Sequence, residues 1–155
     1  MTNNIENENN NAPQEQIPWF VTGLAFECQE CGQCCCGPEE GYVWATEDEL
    51  SKIAEFLEMS KEDFFATYVR QIDGRYSLIE DKTTKDCIFV KDGKCSVYSV
   101  RPTQCRTWPF WESNLHTPEC WGYAGVRCPG INRGKLHSPE EIIESAKRTK
   151  EHQYE

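Results

Sequence analysis

Cys28-Gln29-Glu30-Cys31-Gly32-Gln33-Cys34-Cys35-Cys36 places five cysteines in nine residues, and the rest of the chain is organised around it. Cys28, Cys31 and Cys34 recur every three residues, a spacing at which a tight loop turns several sulfurs toward one centre. Thiolates are soft ligands, which points to zinc or an iron–sulfur cluster. One loop does not complete every site it begins. The fold is expected to return distant cysteines, Cys87, Cys95, Cys105 and Cys128, to this knot.

The chain of 155 residues reads as one domain. Residues 1–16, with six asparagines, three glutamates and little apolar content, are expected to be a disordered tail. Residues 17–155 are expected to form a single cysteine-cluster metal-binding domain, with a modest core that a metal site supplements. The net charge is −10 and the pI about 4.8. That sign repels phosphate backbones and anionic lipid, which argues against nucleic acid and membrane partners. No apolar run approaches the ~20 residues of a membrane span.

Ten cysteines also admit a disulfide framework. Against it, Met1-Thr2-Asn3-Asn4-Ile5-Glu6 has neither the basic start nor the apolar core of a signal peptide. The expected location is therefore cytoplasmic, where disulfides are rare. Three consecutive cysteines, Cys34 to Cys36, also suit a metal knot better than three separate bridges.

Outward from the knot the pattern predicts a small α+β domain, irregular and metal-stapled, with a short antiparallel sheet and about three helices. Gly41 to Ala45 reads as a strand. Thr46 and Glu49 form a capping box before a helix whose Leu50, Ile53, Ala54 and Leu57 share one face. Ser60 caps a second helix, with Phe64, Phe65, Tyr68 and Val69 as its apolar face. Tyr76 to Glu80 alternates as a strand. Cys87 to Val90 and Cys95 to Tyr98 flank Lys91-Asp92-Gly93-Lys94 as a hairpin.

The hairpin loop bears on the chemistry. A two-residue Asp92-Gly93 turn puts Cys95 opposite Val90 and the two cysteines on opposite faces. A three-residue loop puts both on one face. Binding of both at one locus predicts the three-residue loop. Pro102 opens a helical turn carrying Cys105, and Trp108-Pro109 is a candidate cis bond. Residues 112–137 read as irregular. Ser138-Pro139-Glu140-Glu141 starts a last helix.

Cys28-x2-Cys31-x2-Cys34 matches the first three ligands of a bacterial ferredoxin run, but the Cys-Pro that closes such a run occurs here only at Cys128-Pro129. The motifs Cys28-x2-Cys31-Gly32-x-Cys34-Cys35, Gly41-Tyr42-Val43-Trp44, Asp86-Cys87-Ile88-Phe89, Cys95-Ser96-Val97-Tyr98, Arg101-Pro102-x-Gln104-Cys105-Arg106-x-Trp108-Pro109-Phe110 and Cys128-Pro129-Gly130 resemble, in order, the zinc- or iron-chelating cysteine-cluster (CxxCxxCC, YkgJ-like) family. That resemblance implies eight metal ligands: Cys28, Cys31, Cys34, Cys35, Cys87, Cys95, Cys105 and Cys128. Cys36 and Cys120 fall outside it.

Arg101 and Arg106 flank Cys105 and are read as cofactor-binding, offsetting the charge of a thiolate-rich centre. His116 and Cys120 are read as loop residues, because Pro118 separates them. Trp44, Trp108, Trp111 and Trp121 are candidates to shield a cluster from water.

Two functions follow. One is an iron–sulfur protein, 4Fe–4S in type, with a redox or electron-transfer role toward an unknown protein partner or small-molecule substrate. The other is a non-catalytic zinc-binding structural or metal-handling module.

Overall fold

The computed structural model describes residues 17–154, and the expected tail over residues 1–16 lies outside the described residues. The fold is α+β. In chain order it runs β1 (Leu24–Phe26), β2 (Val43–Trp44), α1 (Glu47–Phe56), α2 (Lys61–Tyr68), β3 (Val69–Ile72), β4 (Arg75–Leu78), β5 (Val90–Lys91), β6 (Lys94–Cys95), α3 (Thr103–Thr107), α4 (Glu112–Leu115), α5 (Pro118–Arg127), β7 (Ile131–His137) and α6 (Pro139–Tyr154). The strands form three small antiparallel sheets, β1-β7, β2-β4-β3 and β5-β6, rather than one.

Two apolar clusters hold these pieces. In the first, α1 and α2 cover β4. Leu50, Ile53 and Phe64 are fully buried with Leu78, Phe89 and Val97, and Phe64 stacks on Phe89. The capping box is formed as its sequence requires: Glu49 N donates to Thr46 Oγ1, and Thr46 N to Glu49 Oε2. Val69 departs from expectation. It ends α2 and begins β3, where it pairs with Leu78, because a β-branched residue fits the sheet better than the end of a short helix.

The second cluster joins Phe20, Leu24, Phe110, Trp121, Ile131 and Ile142 from both ends of the described chain. Its helices include α4 and α5, which lie in the stretch expected to be irregular. The start of α5 carries the same code as that of α6: Thr117 accepts from Cys120 N, as Ser138 accepts from Glu141 N, and a proline follows each cap. Gly122 and Gly125 lower the helical propensity of α5 and hide it. Burial of Trp121 and Ala124 overrides that preference.

α3 ties the two clusters together. The nearly buried Glu49 accepts from Thr103 N (2.7 Å) and Thr103 Oγ1 (2.6 Å), and Thr107 Oγ1 hydrogen-bonds Thr149 on α6. Burial pushes the Glu49 pKa up, but hydrogen bonds from the Thr103 hydroxyl and the Thr46 and Thr103 amides outweigh it and hold the carboxyl below its ordinary value.

A depressed folded pKa means that the stabilisation is full above the unfolded pKa, ~4.3, and is lost as pH falls through the folded value. Glu49→Gln should therefore cost about 1–3 kcal/mol near neutral pH. Urea unfolding of both proteins should show that gap shrinking below about pH 4. A gap that stays constant with pH would contradict this role.

Candidate metal centre

Cys28, Cys34, Cys35, Cys87, Cys95 and Cys105 line one cavity of about 40 Å³. Leu78, Phe89 and Val97 close its wall on the side of the first apolar cluster. The volume is far below the ~300–1,000 Å³ of sites for drug-sized ligands.

The knot loop reaches this cavity through a left-handed glycine. Gly32 has φ +69°, and a Cβ there would stand 2.4 Å from the Gly93 carbonyl oxygen. The loop therefore lies directly on the hairpin turn. A 3-10 turn follows, closed by Cys35 N donating to Gly32 O (2.9 Å), and it presents Cys34 and Cys35 side by side with sulfurs 3.7 Å apart. Cys87 N donates to Cys35 O (2.7 Å), and Gly37 N donates to Asp86 Oδ1 (2.8 Å).

The hairpin itself corrects the expected loop. Val90 pairs with Cys95 and Lys91 with Lys94 around a two-residue Asp92-Gly93 turn. Both turn residues have positive φ, as the primed turn that suits a right-twisted hairpin requires. Cys87 and Cys95 still line the same cavity, because Val90 N donates to Cys87 O (2.9 Å) and folds the chain between them. The alternation that separated the two sulfurs applies only to a continuous strand.

Cys105 rides on α3, whose position is fixed on either side of it. The Gln104 side chain accepts from Trp44 N (2.9 Å) and donates to Tyr42 O (2.9 Å), completing the edge of β2. Trp111 Nε1 donates to Gln104 O (3.0 Å).

The thiols differ electrostatically. The Cys34 pKa is lowered to about 7, first by its hydrogen bond with Cys35, with Arg101 and Arg127 helping. The Cys35 thiol is correspondingly pushed up by that bond and by burial. Burial raises Cys87 to about 11 and also pushes up Cys95 and Cys105. Tyr98, whose ring lies under the Arg101 guanidinium, has its phenol pKa raised first by a hydrogen bond with Cys28.

Arg101 and Arg106 separate in space. Arg101 is on the cavity wall, and its buried Nε has no hydrogen-bond partner. Arg106 is exposed, away from the cavity, and meets Glu49 at 3.7 Å. Arg127, which the sequence reading missed, donates to the carbonyls of Cys36 and Gly37. The signal for it was weak: a basic residue at the end of a helix that was itself unrecognised.

Cys31 is half-buried outside the residues that line the cavity. Cys128 is packed in the second apolar cluster, but the loop after it meets the knot where Glu27 N donates to Gly130 O (3.2 Å). Cys36 donates to Gly32 O, and Cys120 lies on α5. Among the tryptophans, Trp108 and Trp111 flank Cys105 across an outer cleft, whereas Trp121 belongs to the second cluster and donates to Asn132.

Among the described residues, no group of three or more His, Cys, Asp or Glu side chains is drawn tightly enough to hold an ion as it stands. The thiols ring the space instead of converging on a point. The donor set nonetheless fits a thiophilic centre. It is all sulfur, and a buried cationic N–H without a partner stands beside it.

The matching family model spans residues 27–129, carries the cysteine signature CxxCxxCC and is described as a "Putative zinc- or iron-chelating domain". The chain belongs to this family, and the match contains the whole ring of thiols. An uncharacterized protein of Methanocaldococcus jannaschii is 34% identical over 93 residues, covering 59% of this chain and 48% of that protein. The chain thus spans about half the length of that relative. No solved structure matches. Among the described residues, no helix is long and apolar enough to cross a membrane.

Two glycine substitutions test how the knot is seated. Gly32→Ala adds a Cβ against the Gly93 carbonyl to a left-handed strain of roughly 1–2 kcal/mol. Gly74→Ala carries a similar φ, +79°, with nothing within 4 Å. Thermal or urea unfolding should show the larger loss for Gly32→Ala, and equal losses would mean that the loop does not dock on the hairpin.

Proposed function

We propose that the ring of thiols holds an iron–sulfur cluster, 4Fe–4S in type, and that the protein transfers electrons to a protein partner or small-molecule substrate. The observation that carries this reading is the gathering of six thiols from four stretches of chain around one small cavity. A structural zinc and a 4Fe–4S cluster each take four cysteine ligands, so six thiols around one cavity fill one such site and leave two sulfurs over. In this reading four of Cys28, Cys34, Cys35, Cys87, Cys95 and Cys105 bind the four irons, and the other two, with Cys31 and Cys128 that the family motif adds, are candidates for a second four-sulfur site.

A bound cluster supplies one-electron chemistry. The chain's own residues prepare the place for it. Arg101 offsets thiolate charge and offers its Nε–H to sulfur. Leu78, Phe89 and Val97 keep water from the inner wall, which favours charge pairing there. Tyr98 lines the cavity beside Cys28, which with Cys34 is an exposed member of the ring.

A second reading is a zinc module without catalysis. It is favoured by the way the cage joins the knot to the hairpin and to α3, which is the work of a structural ion.

Protein purified without oxygen separates the two. The iron–sulfur reading expects a brown protein with iron and sulfide in matched amounts. Colourless protein with zinc and no sulfide would overturn it in favour of the second. In either case Cys87→Ser and Cys105→Ser should lose metal, and Cys120→Ser should retain it. Full metal content in a Cys105→Ser protein would remove that residue from the ligand set.

A further inference from the structure

Cys34 and Cys35 differ from the rest of the ring in one respect: their sulfurs are 3.7 Å apart. Two thiolates on one tetrahedral zinc, each bonded at about 2.3 Å, lie about 3.8 Å from each other. In a four-iron cube every cysteine binds a different iron. The iron–iron edge between them holds any two such sulfurs well beyond contact. The pair therefore has the separation of two ligands on one ion, and not that of two corners of a cube.

The turn that sets this separation is fixed on several sides. Cys35 N donates to Gly32 O (2.9 Å), Cys36 N to Gln33 O (3.3 Å), and Cys87 N to Cys35 O (2.7 Å). Two adjacent side chains on so short and anchored a turn part only by changing rotamer.

Position in the fold separates the pair as well. The cavity of about 40 Å³ has a neighbour of about 270 Å³, and Cys34, Cys35, Cys87 and Cys105 line both. Cys28 and Cys95 line only the smaller one. Setting the pair aside leaves Cys28, Cys87, Cys95 and Cys105 around the inner space, the number that a cube or a closed zinc site takes. Cys31 and Cys128 line neither space. An ion shared by Cys34 and Cys35 thus borders the larger cleft, whose volume is close to the lower end of sites for small organic ligands. Two thiolates balance a divalent cation. Arg101 and Arg127 both act on Cys34 through their charge, which favours an anionic third ligand.

We propose that Cys34 and Cys35 together hold one thiophilic divalent ion, distinct from the four-sulfur centre of Cys28, Cys87, Cys95 and Cys105, and that this ion keeps a position open on the cleft side for a small thiolate. The inference rests on the metal-centre reading. It does not depend on whether the four-sulfur centre holds iron or zinc.

Cobalt(II) is the probe, since it takes zinc-type sites and absorbs strongly when sulfur binds it. Protein purified without oxygen is dialysed against cobalt(II), and cobalt, iron, zinc and sulfide are counted per chain. With the inner centre keeping its own metal, one cobalt should bind. X-ray absorption at the cobalt edge should show two sulfurs, with lighter donors completing the shell. Ethanethiol should add a third sulfur and shift the sulfur-to-cobalt absorption saturably. Cys34→Ser and Cys35→Ser should each lose this cobalt while keeping the inner metal and a cooperative urea transition. Cys120→Ser should keep both metals.

Four sulfurs around cobalt in the unmutated protein, no sulfur, or a shell that ethanethiol leaves unchanged would overturn the proposal. So would loss of the inner metal from folded Cys34→Ser and Cys35→Ser proteins, which would put the pair on that centre. The counts keep the iron–sulfur reading separate. Two-sulfur cobalt beside an inner centre of zinc without sulfide would fault that reading alone. Matched iron and sulfide beside cobalt bound by no sulfur would fault the pair alone.

Discussion

Cys87 N donates to the Cys35 carbonyl at 2.7 Å, and through that bond the knot loop is fixed to the hairpin that carries the next two cysteines. The loop has little apolar surface of its own, so backbone contacts must hold it. Gly32 allows the approach on one flank, where any Cβ would meet the Gly93 carbonyl, and Asp86 receives Gly37 N on the other. With the loop so placed, Cys34 and Cys35 face Cys87, Cys95 and Cys105 across one small space.

The same arrangement sets the electrostatics. Thiols brought out of water resist ionisation, and burial raises Cys87, Cys95 and Cys105 together. A chain of net charge −10 does not relieve that resistance with its overall field. Local cations do so, as Arg101 and Arg127 do for Cys34, and a bound metal cation would do so far more strongly. Packing and metal chemistry are therefore linked in this domain. The contacts that gather the sulfurs are the contacts that make a cation welcome.

Much of this was legible in the residues. The caps at Thr46, Ser60 and Ser138 announce their helices because a side-chain oxygen must satisfy an otherwise free backbone N–H. The knot was legible because cysteines so dense have few other uses. The loop of the hairpin was not, since the argument for three residues assumed an unbroken strand from Cys87, and a turn at that residue removes the premise. α5 was hidden by its two glycines. The separation of Arg101 from Arg106 follows from their places around α3. Arg101 precedes the helix, while Arg106 lies on its face toward Glu49. Spacing along the sequence does not carry that difference.

On the reading proposed above, sulfurs from distant parts of the chain share one metal centre. X-ray absorption at the iron and zinc edges, on protein purified without oxygen, tests it most directly. The bound metal should show a first shell of sulfur, at about 2.3 Å if that metal is zinc, which collapses when Cys105 is replaced by serine. A first shell dominated by nitrogen or oxygen, or an unchanged sulfur shell in the Cys105→Ser protein, would contradict it.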